Sequence, residues 1–330
     1  MIFLFGLTRL TWKFFLAYKR QKRYLKQFLI PLMSDLEVRY NGKFSDTLRK
    51  RILTQYALPV PALVCEAYTH LWKKKISAQE REIATYMGVF SALFDDFFDE
   101  SQLSEADIEK LCFDTIHFQA KNFEEKVAKE IYLKMIPMLA HPDIYVKGMK
   151  NVFSAHIDST KQLSSNVSIE ELWDITYAKG YYSLILYHYI LNTLPTPTLE
   201  KVMQYGGNMI QMTNDIYDVR KDLIDNIKTL PLQLPSLQAF YDKIIADIKS
   251  LNFLCRQLET SKKEKKVFQL TINAIVARGL VAVDQLKRLQ QKKGSINLET
   301  WSRKELITDM EKPIKILKWI KYTYKLYHLP

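Results

Sequence analysis

Residues 93–100 read LFDDFFDE. Asp95, Asp96 and Asp99 lie among Leu93, Phe94, Phe97 and Phe98, and Glu100 follows. An isolated carboxylate in apolar surroundings loses more free energy than a packing contact returns, so these acids require a partner. Asp95 and Asp99 are one helical turn apart, as are Asp96 and Asp99, so the three can converge on one point. Ser101 to Ser104 reads as a helix break, which places the cluster at a helix C-terminus, where the macrodipole opposes negative charge. A cation answers both problems. Oxygen ligands without histidine suit magnesium, which keeps several waters and bridges to substrate phosphates. The plainer alternative is a solvated acidic helix end with Phe94 and Phe98 facing the core.

Composition points to an all-α protein. The chain has 330 residues, 48% of them hydrophobic, and only 9 glycines. Asn41-Gly42 alone has the form of a tight hairpin turn, and no alternating strands flank it. Three cysteines, Cys65, Cys112 and Cys255, are widely spaced and odd in number. They form neither a disulfide framework nor a zinc pattern, so a reducing, cytoplasmic setting is expected. The net charge of +12 suits an anionic partner. No zinc finger or RNP-type motif is present, so nucleic acid is not expected.

Capping signals divide the chain into long helices. Ser77-x-x-Glu80 opens the helix that carries LFDDFFDE, Ser104-x-x-Asp107 the next, and Ser168-x-x-Glu171 a long one through Tyr189. Thr196-Pro197 starts a helix that runs past Asp222. A loop is expected between Pro231 and Pro235, helices over about 236–258 and 263–292, a break at Gly294-Ser295, and a final helix over about 298–326. No repeat or linker interrupts the pattern. The expected organisation is a basic amphipathic extension over 1–40 and one helical domain over 41–330. Residues 1–32 are apolar and basic together. Their longest uncharged run, ending at Arg9, is too short to span a bilayer, and no cleavage site follows it. They fit either an interfacial helix on an anionic membrane or a helix packed on the protein body with its basic face in water.

A second acidic stretch alters the balance. Residues 211–222 read QMTNDIYDVRKD. Asn214, Asp218 and Asp222 recur every fourth residue along one face, Asp215 flanks them, and Gln211 lies one turn earlier. Two oxygen-only clusters on facing helices could hold a group of magnesium ions, with a diphosphate as the bridging anion. Arg220 and Lys221 stand beside the cluster, Lys228 follows it, and Lys179 lies in the preceding long helix.

DDFFD (95–99) resembles the aspartate-rich motif of class I isoprenoid synthases, the superfamily of terpene cyclases and polyprenyl diphosphate synthases. NDIYDVRKD (214–222) resembles the second metal motif of terpene cyclases, and QMTNDIYDVRKD is also similar to the QxxNxxxDxxxD pattern of squalene and phytoene synthases. AKGYYS (178–183) and NIKTLP (226–231) are similar to segments of polyprenyl synthases. The resemblance covers roughly residues 80–235. It implies a single-domain helical bundle with an active-site cavity between the motif helices. It also implies that Asp95, Asp96, Asp99, Asn214, Asp215, Asp218 and Asp222 bind three magnesium ions. Lys179, Arg220, Lys221 and Lys228 would then hold the diphosphate, with Lys321-Tyr322 standing in for a C-terminal Arg-Tyr pair. Phe90, Phe94, Phe98, Tyr181, Tyr182, Gln211 and Tyr217 would line the pocket, where aromatic faces stabilise a carbocation.

The implied reaction is ionisation of farnesyl or geranylgeranyl diphosphate, followed by cyclisation and diphosphate release. Glu100-Ser101-Gln102-Leu103 follows the first motif with no basic pair, and Gly42-Lys43 is a faint echo of an upstream GGKR; both argue against condensation with isopentenyl diphosphate. Aspartates at 218 and 222 lean toward head-to-head coupling of two prenyl diphosphates, which stays open as an alternative. So does a non-catalytic helical protein that binds membranes. The expected partner is a prenyl diphosphate; a peripheral membrane contact through residues 1–32 and a homodimer stay open.

Overall fold

A computed structural model of the chain describes residues 2–99 and 103–330, with side chains for all of these except residues 2–5 and 99. The all-α expectation holds, and no strand occurs among the described residues. In order, the helices are α1 (Ile2–Tyr24), α2 (Ile30–Arg39), α3 (Asp46–Arg51), α4 (Glu66–Leu71), α5 (Ala78–Asp99), α6 (Glu105–Phe113), α7 (Phe123–Met135), α8 (Pro142–Ser159), α9 (Ile169–Tyr189), α10 (Pro197–Ile224), α11 (Leu230–Gln233), α12 (Leu237–Gln257), α13 (Lys262–Lys293), α14 (Arg303–Leu306) and α15 (Pro313–Tyr327). Short π-helical segments occupy Leu25–Leu29, Ile52–Tyr56 and Val60–Cys65.

The caps form as the sequence indicates. Ser77 Oγ accepts from Glu80 N at 3.1 Å while Ser77 N donates to Glu80 Oε2 at 2.8 Å. Ser168 and Glu171 repeat that reciprocal pair, which satisfies backbone groups left open at a helix start. Thr196 Oγ1 accepts from Leu199 N at 3.3 Å and Pro197 opens α10. Two expectations fail. The segment after Pro231 is not a plain loop, since proline sits in the first turn of α11. The final helix does not start near 298: Ile307 is extended (φ −103°, ψ 129°) and α15 begins only at Pro313.

The chain divides into two compact units, Met1–Phe153 with Leu186–Leu194, and Ser154–Ile185 with Pro195–Pro330. The first is built around α5, which packs on α7 and on the π segments Ile52–Tyr56 and Val60–Cys65. Its core includes Phe90, Phe97, Tyr145, Met33 and Leu36, all nearly inaccessible. Residues 1–40 belong to it: α1 packs on Val60–Cys65, and buried Gln21 donates to Ala57 O at 2.8 Å and Thr85 Oγ1 at 3.1 Å.

The second unit is built around α13, which packs on α10, α12 and α15. By length and composition α13 could cross a bilayer, but most of its apolar stretch is buried in protein. A buried amide chain ties it to its neighbours. Asn273 Nδ2 donates to Asn252 Oδ1 at 2.9 Å, and Asn252 Nδ2 donates to Leu326 O at 2.8 Å. Trp319 Nε1 also donates to Ala274 O at 2.7 Å. The α9–α10 approach rests on two glycines. A Cβ on Gly180 would lie 2.3 Å from Gly207 O, and one on Gly207 would lie 2.4 Å from Gly180 O. These are backbone atoms and cannot rotate away. Gly206, one residue earlier, would place a Cβ no closer than 3.6 Å to Leu184.

Adjacent glycines should therefore respond with opposite sign. Gly207→Ala is expected to destabilise by about 3 kcal/mol or more through overpacking. Gly206→Ala should be neutral or stabilise by up to about 1 kcal/mol through helix propensity. Urea unfolding of both variants checks the close approach.

Candidate functional site

The 3.6-residue repeat places Gln211, Asp215, Asp218 and Asp222 on the inward side of α10. Asp215 and Asp222 are buried, Asp218 is half-buried, and Asn214 is exposed. Of the neighbours Asn214 and Asp215, it is Asp215 that enters the protein. Its Oδ1 accepts from Gln211 Nε2 at 2.8 Å and its Oδ2 from Thr176 Oγ1 at 3.4 Å. Thr176 lies on α9, four residues before Gly180, so the glycine contact brings it within reach. Asp222 Oδ2 accepts from Thr229 Oγ1 at 3.3 Å, and its backbone oxygen accepts from Ile227 N at 2.8 Å. The acidic helix end and the loop after it are thus folded onto each other.

These carboxyls are not neutralised. Burial, together with the charges of Asp215 and Asp218, pushes Asp222 up to about 7, against Lys221 and the Thr229 hydroxyl. Burial pushes Asp215 up to about 6, opposed by Gln211, Lys179 and Thr176. Asp218 is also raised by burial, against Lys221 and a hydrogen bond from Asn214. Burial that disfavours the ionised form in three neighbouring acids marks a place where positive charge is in deficit. The donors are hard oxygens, which fit magnesium. Among the described residues, no three His, Cys, Asp or Glu side chains stand close enough to form a metal-holding group.

The candidate cations differ in placement. Lys179 is half-buried and acts electrostatically on Asp215 and on buried His156. Lys221 is exposed and pairs with Asp225 at 3.3 Å. Arg220 is half-buried. Lys228 is held by its backbone: its N donates to Gln162 O at 2.8 Å, its O accepts from Gln162 Nε2 at 2.9 Å, and its Nζ meets Asn226 Oδ1 at 3.1 Å. Lys321 is exposed on α15. Tyr322 beside it interacts with Asp284 on α13, which also accepts from Lys318 at 2.8 Å and Arg288 at 3.2 Å.

In the first unit the chain itself supplies partners for the first motif. Asp96 is 8% exposed and ion-paired to Arg51 at the end of α3. Asp95 accepts from the Tyr56 hydroxyl, and the Arg51 guanidinium lies 6.0 Å from the Tyr56 ring. The Asp99 side chain and residues Glu100, Ser101 and Gln102 lie outside the described residues.

The aromatics expected to line a pocket fall into two groups, one in each unit. Phe90 packs on Tyr132 at 4.8 Å and on Phe94 at 5.9 Å, and Phe98 contacts Phe94 and Phe153 at 5.1 and 5.8 Å. In the second unit, Tyr181 and Tyr182 are 5.1 Å apart, and the Tyr181 hydroxyl donates to Glu200 Oε1 at 3.2 Å. The Tyr217 hydroxyl donates to Arg278 O at 3.2 Å, which fixes its ring against α13.

Sequence reasoning missed Arg51, Tyr56, Thr176, Thr229 and Gln162. Thr229 carried a signal, since it lies within NIKTLP (226–231), and Thr176 lies just before AKGYYS (178–183). Arg51 and Gln162 are far from the motifs in sequence and had none.

Two outcomes test these placements. Asp222 titrates near 3.8 in the unfolded chain and about 7 in the folded one. Its contribution to stability is therefore full below 3.8 and lost as the pH rises through about 7. Asp222→Asn should gain about 2 kcal/mol over the wild type at pH 8 and show no advantage near pH 4, in pH-dependent thermal melts. Parallel pH profiles would contradict the burial of this acid. Arg51→Met should destabilise by about 2–4 kcal/mol by leaving Asp96 unmatched, and adding Asp96→Asn should restore most of the loss. Neither a family model nor any curated protein matches this chain.

Proposed function

We propose that this chain is a magnesium-dependent class I isoprenoid synthase. In this reading it ionises a prenyl diphosphate such as farnesyl or geranylgeranyl diphosphate, closes the carbocation into a terpene and releases diphosphate. The observation that carries this reading is the line of buried Asp215, half-buried Asp218 and buried Asp222, whose ionised forms burial disfavours. Magnesium is typically held by one or two carboxylates together with substrate phosphates, so such a line suits it without a closed protein cage. Asp215, Asp218, Asp222 and Asn214 would hold it in the second unit, and Asp95, Asp96 and Asp99 in the first.

Bound there, magnesium would supply Lewis-acid charge to the departing diphosphate. The chain's own residues do the remaining work. Lys179 and Lys228 contribute fixed positive charge to the diphosphate oxygens. Gln211, Thr176 and Thr229 orient the carboxylates by hydrogen bonds, so the site needs little reorganisation when charge develops. In the second unit, aromatic rings at 181, 182 and 217 would offer electron-rich faces to a cation at about 0.5–2 kcal/mol each.

A second reading, coupling of two prenyl diphosphates, draws on Arg51. It stands beside the first motif and gives it a basic group that the sequence after the motif lacks.

Diphosphate release from farnesyl or geranylgeranyl diphosphate, each supplied alone, should require magnesium and yield a cyclic hydrocarbon or alcohol on mass spectrometry. Asp218→Asn and Asp222→Asn should each lower the rate by about two orders of magnitude while circular dichroism stays unchanged. Release only after isopentenyl diphosphate or a second prenyl diphosphate is added would select coupling. Full turnover in both variants would sink the assignment of the line.

A further inference from the structure

We propose that the outward face of α1 is a docking surface for an anionic lipid bilayer. The inward face is fully used, because Leu7, Leu10, Ala17, Gln21, Leu25 and Leu29 are buried along α1 and its π-helical continuation. On the opposite side Trp12 is 60% and Phe15 54% exposed, their rings stacked at 5.5 Å, with Leu16 exposed beside them. Large apolar side chains grouped on a surface mark an interaction site more often than single ones do. Tryptophan in particular favours the boundary between headgroups and acyl chains.

The same side turns basic one to two turns further on. Lys19, Lys22, Arg23 and Lys26 are exposed, and among the described residues none of them meets a carboxylate. Residues 1–34 carry seven Lys or Arg (9, 13, 19, 20, 22, 23 and 26) and no Asp or Glu. Two of these cations are turned to the body: Arg20 pairs with Glu66 at 3.1 Å and Lys13 meets His70 at 2.8 Å. Among the described residues, the remaining block meets no carboxylate. Trp12 and Lys19 are separated by about 10 Å along the axis at 1.5 Å per residue. The aromatic end can therefore enter the acyl boundary while the basic end meets lipid phosphates.

Charge complementarity selects the occupant. A second copy would bring the same uncompensated cations face to face in a two-fold contact, which repels. A polyanion such as nucleic acid satisfies the cations but needs no aliphatic Leu16 beside them. An anionic bilayer satisfies both ends. This inference is independent of the reaction proposed above.

The test is flotation of the full chain with vesicles of phosphatidylcholine alone and of phosphatidylcholine mixed with phosphatidylglycerol. Binding is expected only to the anionic vesicles, weakening as salt is raised. Replacing Trp12→Ser, Phe15→Ser and Leu16→Ser together should weaken it by about tenfold or more. Replacing Lys19→Glu, Lys22→Glu, Arg23→Glu and Lys26→Glu should weaken it by about a hundredfold. All seven side chains are exposed, and circular dichroism checks that both variants fold. If the charge variant fails to fold, the salt series and the apolar variant still decide. No flotation with anionic vesicles overturns the proposal. So does an apolar variant that binds like the wild type, or a DNA duplex that displaces the vesicles through the same residues, or dimerisation that the apolar substitutions abolish.

Discussion

The contact between Gly180 and Gly207 governs the second unit. No side chain separates the backbones there, and a Cβ at either glycine would clash with the backbone of the other helix. The setting of Asp215 follows from that approach. Thr176 and Lys179 lie within one turn of Gly180, and Asp215 lies two turns beyond Gly207. A side chain at either glycine would push Thr176 and Lys179 away from Asp215 and admit water. The low dielectric around the carboxylates, which raises their proton affinity, thus depends on two residues that carry no side-chain chemistry.

The two acidic motifs solve the same electrostatic problem differently. Asp95 and Asp96 are met by a phenol and a guanidinium from the preceding segment, so their part of the helix end is quiet without any ligand. Asp215, Asp218 and Asp222 receive amide and hydroxyl donors, which orient carboxylates but do not cancel their charge. One motif is paired within the chain, and in the other burial and mutual repulsion disfavour the ionised acids.

Much of this was legible in the sequence because its signals are local. The capping pairs Ser77–Glu80 and Ser168–Glu171 and the Thr196-Pro197 step fixed helix starts, since each depends on residues three apart. The acidic stretch on α10 was legible as a stripe because spacing alone puts residues on one face. Spacing could not say which of Asn214 and Asp215 is buried. That choice depends on where α9 crosses, and α9 is positioned by glycines whose effect is steric. Arg51 and Gln162 act over long separations, one on Asp96 and one on the Lys228 backbone, and no local pattern reports such pairs. The misplaced start of α15 has a simpler cause: apolar and basic residues recur through 298–312 without the proline-led start that α15 needs.

The buried amides of Asn252 and Asn273 have a further consequence. The apolar side chains of α13 would fit several alignments against α12 and α15 almost equally well, because one leucine or valine replaces another at little cost. The hydrogen-bonded amides would not. Sliding α13 by one turn, about 5.4 Å, would strand buried polar atoms without partners. The chain from Asn273 through Asn252 to Leu326 therefore works as an indexing pin. It adds little net energy, yet it leaves the longest helix of the protein a single permitted setting, and with it the depth at which Tyr217 meets Arg278.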